Sequence, residues 1–600
     1  MLFRSLSVGR GTVTFAGGAE RANPLGFQVA KGARLRLAGE NTVHLAGFRS
    51  GCENLAFDGA KDVRIGEKPL IVGRYIGVKF SSKPSVPELT ISDSFVRSDR
   101  EHAADFANTA EYALVAGYDW GVGVIRIKDG AIVTNRLFVG SIPDSASNVR
   151  LDGAVYQSGG IMCALGNVGD RFGSYIGGTA NKGGLGVYEL SGGKFTSLGQ
   201  FGVGESTAWG GIFLQTGGEA YFSTNAPHGS ANNALTVAMA NSSFGKTVFW
   251  GGSAKVEGDL RLSCGSGGSR SAAYLCVGGT ASVDVGKWRI LGTPTGINGY
   301  SDSSTKWNKQ GYVNLNGGVL RAAAVVKGTE YFDRYVAVSF DGGTLKAGAA
   351  GRDVFSGVDE ISVFSGGAAV DTDGKTGNRT SVPFSSPLPG GVKSVPFTPV
   401  YSALRPQVKI EGDGMGASAI AQFDEESGRV SGIRILCPGW GYTRAEAKVF
   451  TSTYGLVDSG NIDATVACEI GNFESGGFTK KGEGDFTFNA ANTYGGNTVI
   501  EGGVLRLGVT GALPEGSRLV FKGGVLEVAL GVELPSSVEV EVPDADEDVS
   551  RYTLVNFEDE TASSGTVFKL AGDTGDKWAL ERFGATLRLR LRKGMTIVVK

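Results

Sequence analysis

Histidine is almost missing from this sequence: His44, His102 and His228 are three residues in 600, far apart along the chain. A triad needs a nucleophile and an orienting acid converging on one imidazole. His44 stands in an alternating stretch (TVHLAG) and the other two in polar loops, and no G-x-S-x-G elbow accompanies them. Cysteine is scarce too. Cys52, Cys163, Cys264, Cys276, Cys437 and Cys468 are scattered without a C-x-x-C pair, which excludes zinc-ribbon and thioredoxin-type chemistry. They read as small buried hydrophobes. Cys264 and Cys276 are close enough in sequence to meet on adjoining coils, and spacing alone leaves their pairing open. Neither sign of charge dominates: 58 Lys and Arg against 60 Asp and Glu give a net of -2, so no basic field exists to hold nucleic acid. No apolar run is long enough for a transmembrane helix. The opening MLFRSLSVGRGTVTFAGG carries Arg4 and Arg10 but no apolar h-region. It already reads as strand and turn, so the expectation is an incomplete N-terminus, with a coil beginning before residue 1.

Glycine, by contrast, is abundant, at 96 of 600 residues, against about 7% in average proteins. With 41% hydrophobic residues the chain is no flexible linker. Its length exceeds one compact core and points to several domains or a solenoid. Diglycines decide for the solenoid. They recur at Gly159-Gly160, Gly192-Gly193, Gly217-Gly218, Gly251-Gly252, Gly278-Gly279, Gly317-Gly318, Gly342-Gly343, Gly366-Gly367, Gly502-Gly503 and Gly523-Gly524. Four copies continue alike: GGVLRAA (317–323), GGTLKAG (342–348), GGVLRLG (502–508) and GGVLEVA (523–529). Side chains alternate faces along a strand. Leu320, Leu345, Leu505 and Leu526 are therefore predicted to point inward, and Arg321, Lys346, Arg506 and Glu527 toward water. The fold expected is all-β: a right-handed, single-stranded parallel β-helix (solenoid) with a small inserted β module and a C-terminal β cap.

The divisions follow the pattern. Residues 1–385 read as parallel β-helix with loop insertions. Residues 386–475 open on Pro-rich VPFSSPLPGG sequence and continue as three or four antiparallel strands, a small inserted module. Residues 476–535 return to coils. Residues 536–600 form a C-terminal cap, whose alternation from Leu587 to Arg592, Lys593-Gly594 turn and second β run predict a hairpin.

The stretch GGFTKKGEGDFTFNAANTYGGNTVIEGGVLRLG (476–508) resembles the autotransporter-associated β-strand repeat of bacterial surface proteins. The hallmarks are Lys480, Gly482, Gly484, Phe486, Phe488, Asn492, Tyr494, Gly496, Thr498, Ile500, Gly503, Leu505 and Leu507, with Phe478, Phe486 and Phe488 in place of the more usual leucines. GWGYTRAEAKVF (439–450) is similar to a module found within such proteins. The resemblance implies a parallel β-helix exported across a Gram-negative envelope, with no catalytic residues in the repeat. A C-terminal translocator barrel needs at least ~8 strands of about ten residues, which 536–600 cannot supply; the expectation is a barrel-less relative.

Parallel β-helices also host polysaccharide-cleaving enzymes. Arg126-Ile127-Lys128 resembles the RIK element of polygalacturonases, but the clustered aspartates and GHG histidine are missing; an inward Ile127 between outward charges is expected. Gly412-Asp413-Gly414-Met415-Gly416 lacks the helix a phosphate loop requires and reads as turn glycines. Asp544, Asp546 and Asp548 open like a calcium loop, yet Val549 and Val555 stand where Gly and Glu belong. Asp371 and Asp373 in VDTDGKTG are weaker still. Arg588, Arg590 and Arg592 form a stripe expected to guard the last, open strand. Tyr118 with Trp120, and Tyr300 with Trp307, sit in loops where rings could stack on sugars or pack the loop down. No catalytic, cofactor or metal residue is assigned. The functional expectation is a non-catalytic, secreted or cell-surface protein that presents an extended surface for adhesion or scaffolding. Its expected partners are surface glycans or extracellular proteins. The alternative is a polysaccharide lyase or hydrolase on the same fold.

Overall fold

The computed structural model describes strand segments 5–8, 11–15, 34–38, 41–45, 49–50, 54–58, 62–65 and 70–72, then residues 88–98 and 113–592 except 118–121, 141–151, 167–172, 179–183, 205–209, 224–232, 239–242, 264–270, 288, 293–308, 329–333, 452–463, 544 and 572–576. Among the described residues there are strands and turns and no helix. One lap runs through Val122–Ile127, Ala131–Thr134 and Arg136–Val139, and the next through Asp152–Gln157, Ile161–Ala164 and Ser174–Ile176. Each strand pairs in parallel with its counterpart one lap later: Ile125 with Val155, Ile132 with Met162, Phe138 with Tyr175. Parallel neighbours need a long return path, and the other two strands of the lap provide it. The result is the expected parallel solenoid.

Its interior is one continuous column of apolar side chains from Phe57 to Leu589. Leu320, Leu345, Leu505 and Leu526 are all buried, as the alternation requires. Aromatic rings fill the wider parts. Phe384, Phe478, Phe486 and Phe488 sit within 4.7–6.1 Å of one another where they meet, mostly edge to face, which is the arrangement their quadrupoles prefer. The repeat's phenylalanines thus occupy the interior that leucines would otherwise fill.

The four GG-x-L copies, alike in sequence, turn two different corners. Leu320 stacks on Leu345, and that column continues through Val370 to Lys480, Ile500 and Phe521. Leu505 stacks on Leu526 in a neighbouring column that begins at Asn378 and Phe486. Diglycines therefore turn both corners: Gly476-Gly477 precedes Phe478–Lys481 in the first column, as Gly366-Gly367 precedes Ala368–Asp371, while Gly502-Gly503 and Gly523-Gly524 open strands of the second. Lys480 consequently occupies an interior position in the leucine column.

The chain leaves the solenoid after Phe384–Ser385 and re-enters it at Phe478–Lys481, which pairs directly with Ala368–Asp371. Between them lies a 2-stranded and two 3-stranded antiparallel sheets with their own core of Val392, Val408, Ala419, Val430, Tyr442 and Ala447. Within this module Gly412 ends the strand Gln407–Gly412, Asp413 and Gly414 bend the chain, Met415 bridges to Trp440, and a strand (Ser418–Asp424), not a helix, follows. Asp413 accepts the N–H of Thr443 at 2.9 Å and of Arg444 at 3.1 Å.

The described part of the C-terminal cap is β, as expected, and the place of its arginines is not the expected one. Its hairpin pairs Trp578–Phe583 with Thr586–Leu591 through a turn at Gly584 (φ 54); Lys593-Gly594 lies outside the described residues. Thr586–Leu591 also pairs with Arg551–Phe557, so Arg588 and Arg590 sit on a strand paired on both sides, and among the described residues Trp578–Phe583 is the edge. Arg588 covers the Phe583 ring at 4.8 Å, and Arg590 lies 3.7 Å from Glu581. These arginines serve cross-strand packing rather than edge protection. The hairpin carries Trp578 and Leu589 into the continuous core.

Candidate functional site

Two surfaces of the solenoid stand out, one charged and one apolar. The charged one follows from stacking. In a parallel, in-register solenoid every residue faces its counterpart one rung on, at about 4.8 Å. One outward register position of the second strand holds Lys255, Asp284, Arg321, Lys346, Asp371 and Lys481 in successive laps. Like charges stacked directly would repel; mostly alternating signs turn the column into a ladder. Arg321 lies 3.3 Å from Asp284, and Lys481 lies 3.8 Å from Glu501, which Lys522 also approaches at 3.8 Å. Where Arg321 and Lys346 are adjacent, Asp373 reaches in from the next corner, 3.8 Å from the first and 2.9 Å from the second.

Ser282, Val319 and Thr344 floor a concavity of about 560 Å³ beside this column, rimmed by Asp284, Arg321, Lys346, Asp371, Asp373 and Lys481. Three carboxylates thus converge with three cations. Hydrogen bonds from Lys375 (2.6 Å) and Lys346 hold the Asp373 carboxyl down at about 2. Asp371 accepts the Asp373 N–H at 2.8 Å. The same contact with Asp373 raises the Lys346 ammonium. The weak VDTDG motif is therefore where the groove's charges are gathered.

The apolar surface lies on the outer face of the first strands. There Val122, Val124, Ala154, Tyr156, Leu185, Val187, Ile212, Leu214, Val248 and Cys276 form a shelf, and Leu404, Ile420 and Leu436 of the inserted module pack onto it. Phe244, Tyr274, Tyr312 and Tyr335 extend it toward Cys437 and Trp440. Polar pins fix the module in place. Arg405 grips Glu189 through two hydrogen bonds, at 2.5 and 2.8 Å. Arg126 reaches Glu88 at 2.9 Å and the module's Glu425 at 3.1 Å. Arg434 stacks on Trp250 at 3.8 Å. Lys246 is fully buried and donates to the carbonyls of Val408 and Ala419; burial pulls its ammonium down to about 7.

Among the residues singled out from the sequence, Ile127 is buried and Arg126 points outward, where it serves the module contact. Asp546 accepts the Asp548 N–H at 2.9 Å, closing its own turn, and Asp544 lies outside the described residues. So do His102, His228, Tyr118, Trp120, Tyr300, Trp307, Cys52 and Cys264, together with the side chain of His44. Cys276 is a free, buried thiol. Among the described residues no group of three or more His, Cys, Asp or Glu is placed to hold a metal ion, and no helix is long and apolar enough to cross a membrane.

The shelf is the feature that sequence reading missed, although it left a signal. DGAVYQ, GVYEL, GIFLQ and FGKTVF are almost continuously buried, whereas the second strands IMCA and KFTS alternate. A strand covered on both faces loses its polar alternation.

No curated protein and no solved structure matches the chain. Residues 478–507, the rungs that rejoin the solenoid after the module, match the family model of the passenger-associated-transport-repeat, the repeat of autotransporter passengers.

Proposed function

We propose that this chain is a non-catalytic passenger-type β-helix, outside the cell or on the bacterial surface, that offers its long flank for adhesion or scaffolding to surface glycans or extracellular proteins. The observation that carries the reading is continuity. The matched repeat pairs strand on strand with the preceding laps, Ala368 opposite Phe478, so repeat and laps form one stack. A stack needing only nearest-neighbour contacts extends surface at little structural cost.

The groove at Asp284, Asp371 and Asp373 favours a second reading, a polysaccharide lyase or hydrolase. Inverting or retaining hydrolysis needs one carboxyl kept protonated as general acid. Asp373 is driven the opposite way by its two lysines. Incubating the purified chain with a panel of polysaccharides, scoring retention and new chain ends separately, distinguishes the readings. Retention without new ends is expected. Cleavage that disappears in Asp373→Asn would replace the adhesive reading with the enzymatic one.

A further inference from the structure

Lys246 sits where a cation is hard to keep. It projects from the strand Phe244–Phe249 onto the shelf, beneath the module. Its amine donates to two carbonyls, Val408 O and Ala419 O, on two different module strands. Among the described residues no carboxylate pairs with it. The strand neighbours at its register are Ile212 and Tyr274, an aliphatic side chain and a phenol that burial keeps protonated. The thiol of Cys276 is nearby and is likewise held protonated by burial. From the module, Lys409 brings a second ammonium: both amines lie over the Phe244 ring, at 5.2 and 5.7 Å. Glu411 is engaged by Lys409 and Lys448 instead. Every approach to Lys246 thus offers an apolar group, a neutral dipole or a like charge.

We propose that Lys246 is a proton-operated latch: the module sits closed on the shelf when this amine is neutral and loosens when it is charged. The two carbonyls accept from either form, so the hydrogen bonds survive deprotonation while the cost of burying a charge does not. With the module lifted, the amine meets water and regains the ordinary lysine range. The sign follows: the open form binds more protons than the closed form between about 7 and 10, so closure strengthens as pH rises through that window. Below about 7 both forms are charged and the dependence levels off.

Cys276 and Cys437 report opening directly, since both thiols are buried at this contact. The experiment alkylates the intact chain at a series of pH values and quantifies modification at these two cysteines by mass spectrometry. The reference is Lys246→Met, which shares the pH dependence of the thiol chemistry. The wild-type rate relative to Lys246→Met is expected to fall roughly tenfold per pH unit between about 7 and 9. A constant or rising ratio overturns the proposal. Should Lys246→Met label at the denatured rate at every pH, Lys246→Arg takes its place as a cation that never titrates; the wild-type rate must then fall against it in the same way, and parallel profiles overturn the latch.

Discussion

Lys480→Met is expected to loosen the repeat's rungs by roughly 1–3 kcal/mol, because it removes one donor group from three acceptors at once, one buried and two partly buried. Lys480 occupies the leucine column, between Val370 and Ile500. Its stem fills the interior and its amine bends to the corner, where it donates to Lys481 O at 3.0 Å, Gly482 O at 2.7 Å and Gly502 O at 3.0 Å. These carbonyls belong to the turns of two successive rungs, so one side chain ties both corners together. Methionine would fill the space but leave the carbonyls unpaired. Amide exchange of residues 478–507 reads the effect locally, which matters because solenoid rungs need not open as one unit. Unchanged protection in the variant would show that water serves these carbonyls equally well. There is also a pH signature. Burial pulls the Lys480 ammonium down to about 8, against the opposing pull of Asp371, Glu483 and Asp485. The unfolded chain then holds more protons between about 8 and 10.5, so the rung gains stability as pH rises through that interval, and Lys480→Met should lack the slope.

The hallmark lysine illustrates how far the sequence could be read. That Leu320, Leu345, Leu505 and Leu526 face inward followed from a period of two, a local property that stacking preserves. That Lys480 shares a column with Leu345 did not, because Phe478–Lys481 stacks on Ala368–Asp371 across the whole inserted module. Which strand lies one rung on is not a property of the local pattern. The inserted module was legible as a break in composition, but its seat was not. Seating depends on contacts such as Arg405 with Glu189, more than two hundred residues apart in sequence, which no periodicity encodes. The arginine stripe was misplaced for a related reason. Alternation identified Thr586–Leu591 as a strand, yet whether a strand lies at an edge is decided by what pairs on its far side, here Trp578–Phe583. The charged groove falls between these cases. Arg321 and Lys346 were legible as outward residues, but their convergence with Asp284, Asp371, Asp373 and Lys481 required the lap lengths, and these vary with loop insertions.

Gly193→Ala is expected to cost at least ~3 kcal/mol, an unusually large penalty for one methyl group at a surface turn. Two terms contribute, and the chain contains the means to separate them. Gly193 adopts φ +75, a left-handed conformation that costs an L side chain about 1–2 kcal/mol. A Cβ there would also stand 2.4 Å from the carbonyl carbon of Gly159 and 2.4 Å from Gly160 O, backbone atoms of the preceding rung. Those atoms cannot yield cheaply, because Gly160 O accepts the Lys194 N–H at 2.8 Å, a bond that fixes the spacing of the two laps at this corner. Gly531 has the same φ of +75 but nothing within 4 Å of its would-be Cβ. Gly531→Ala should therefore report the conformational term alone, about 1 kcal/mol. The excess at Gly193, read from exchange of the flanking amides 186–197, measures how tightly successive laps approach. Equal penalties at the two sites would mean that the diglycines serve only to turn the chain. A clear excess would mean that they also set the rung spacing, which explains why Gly159, Gly192 and Gly217 recur at the same corner although a turn needs only one residue of positive φ.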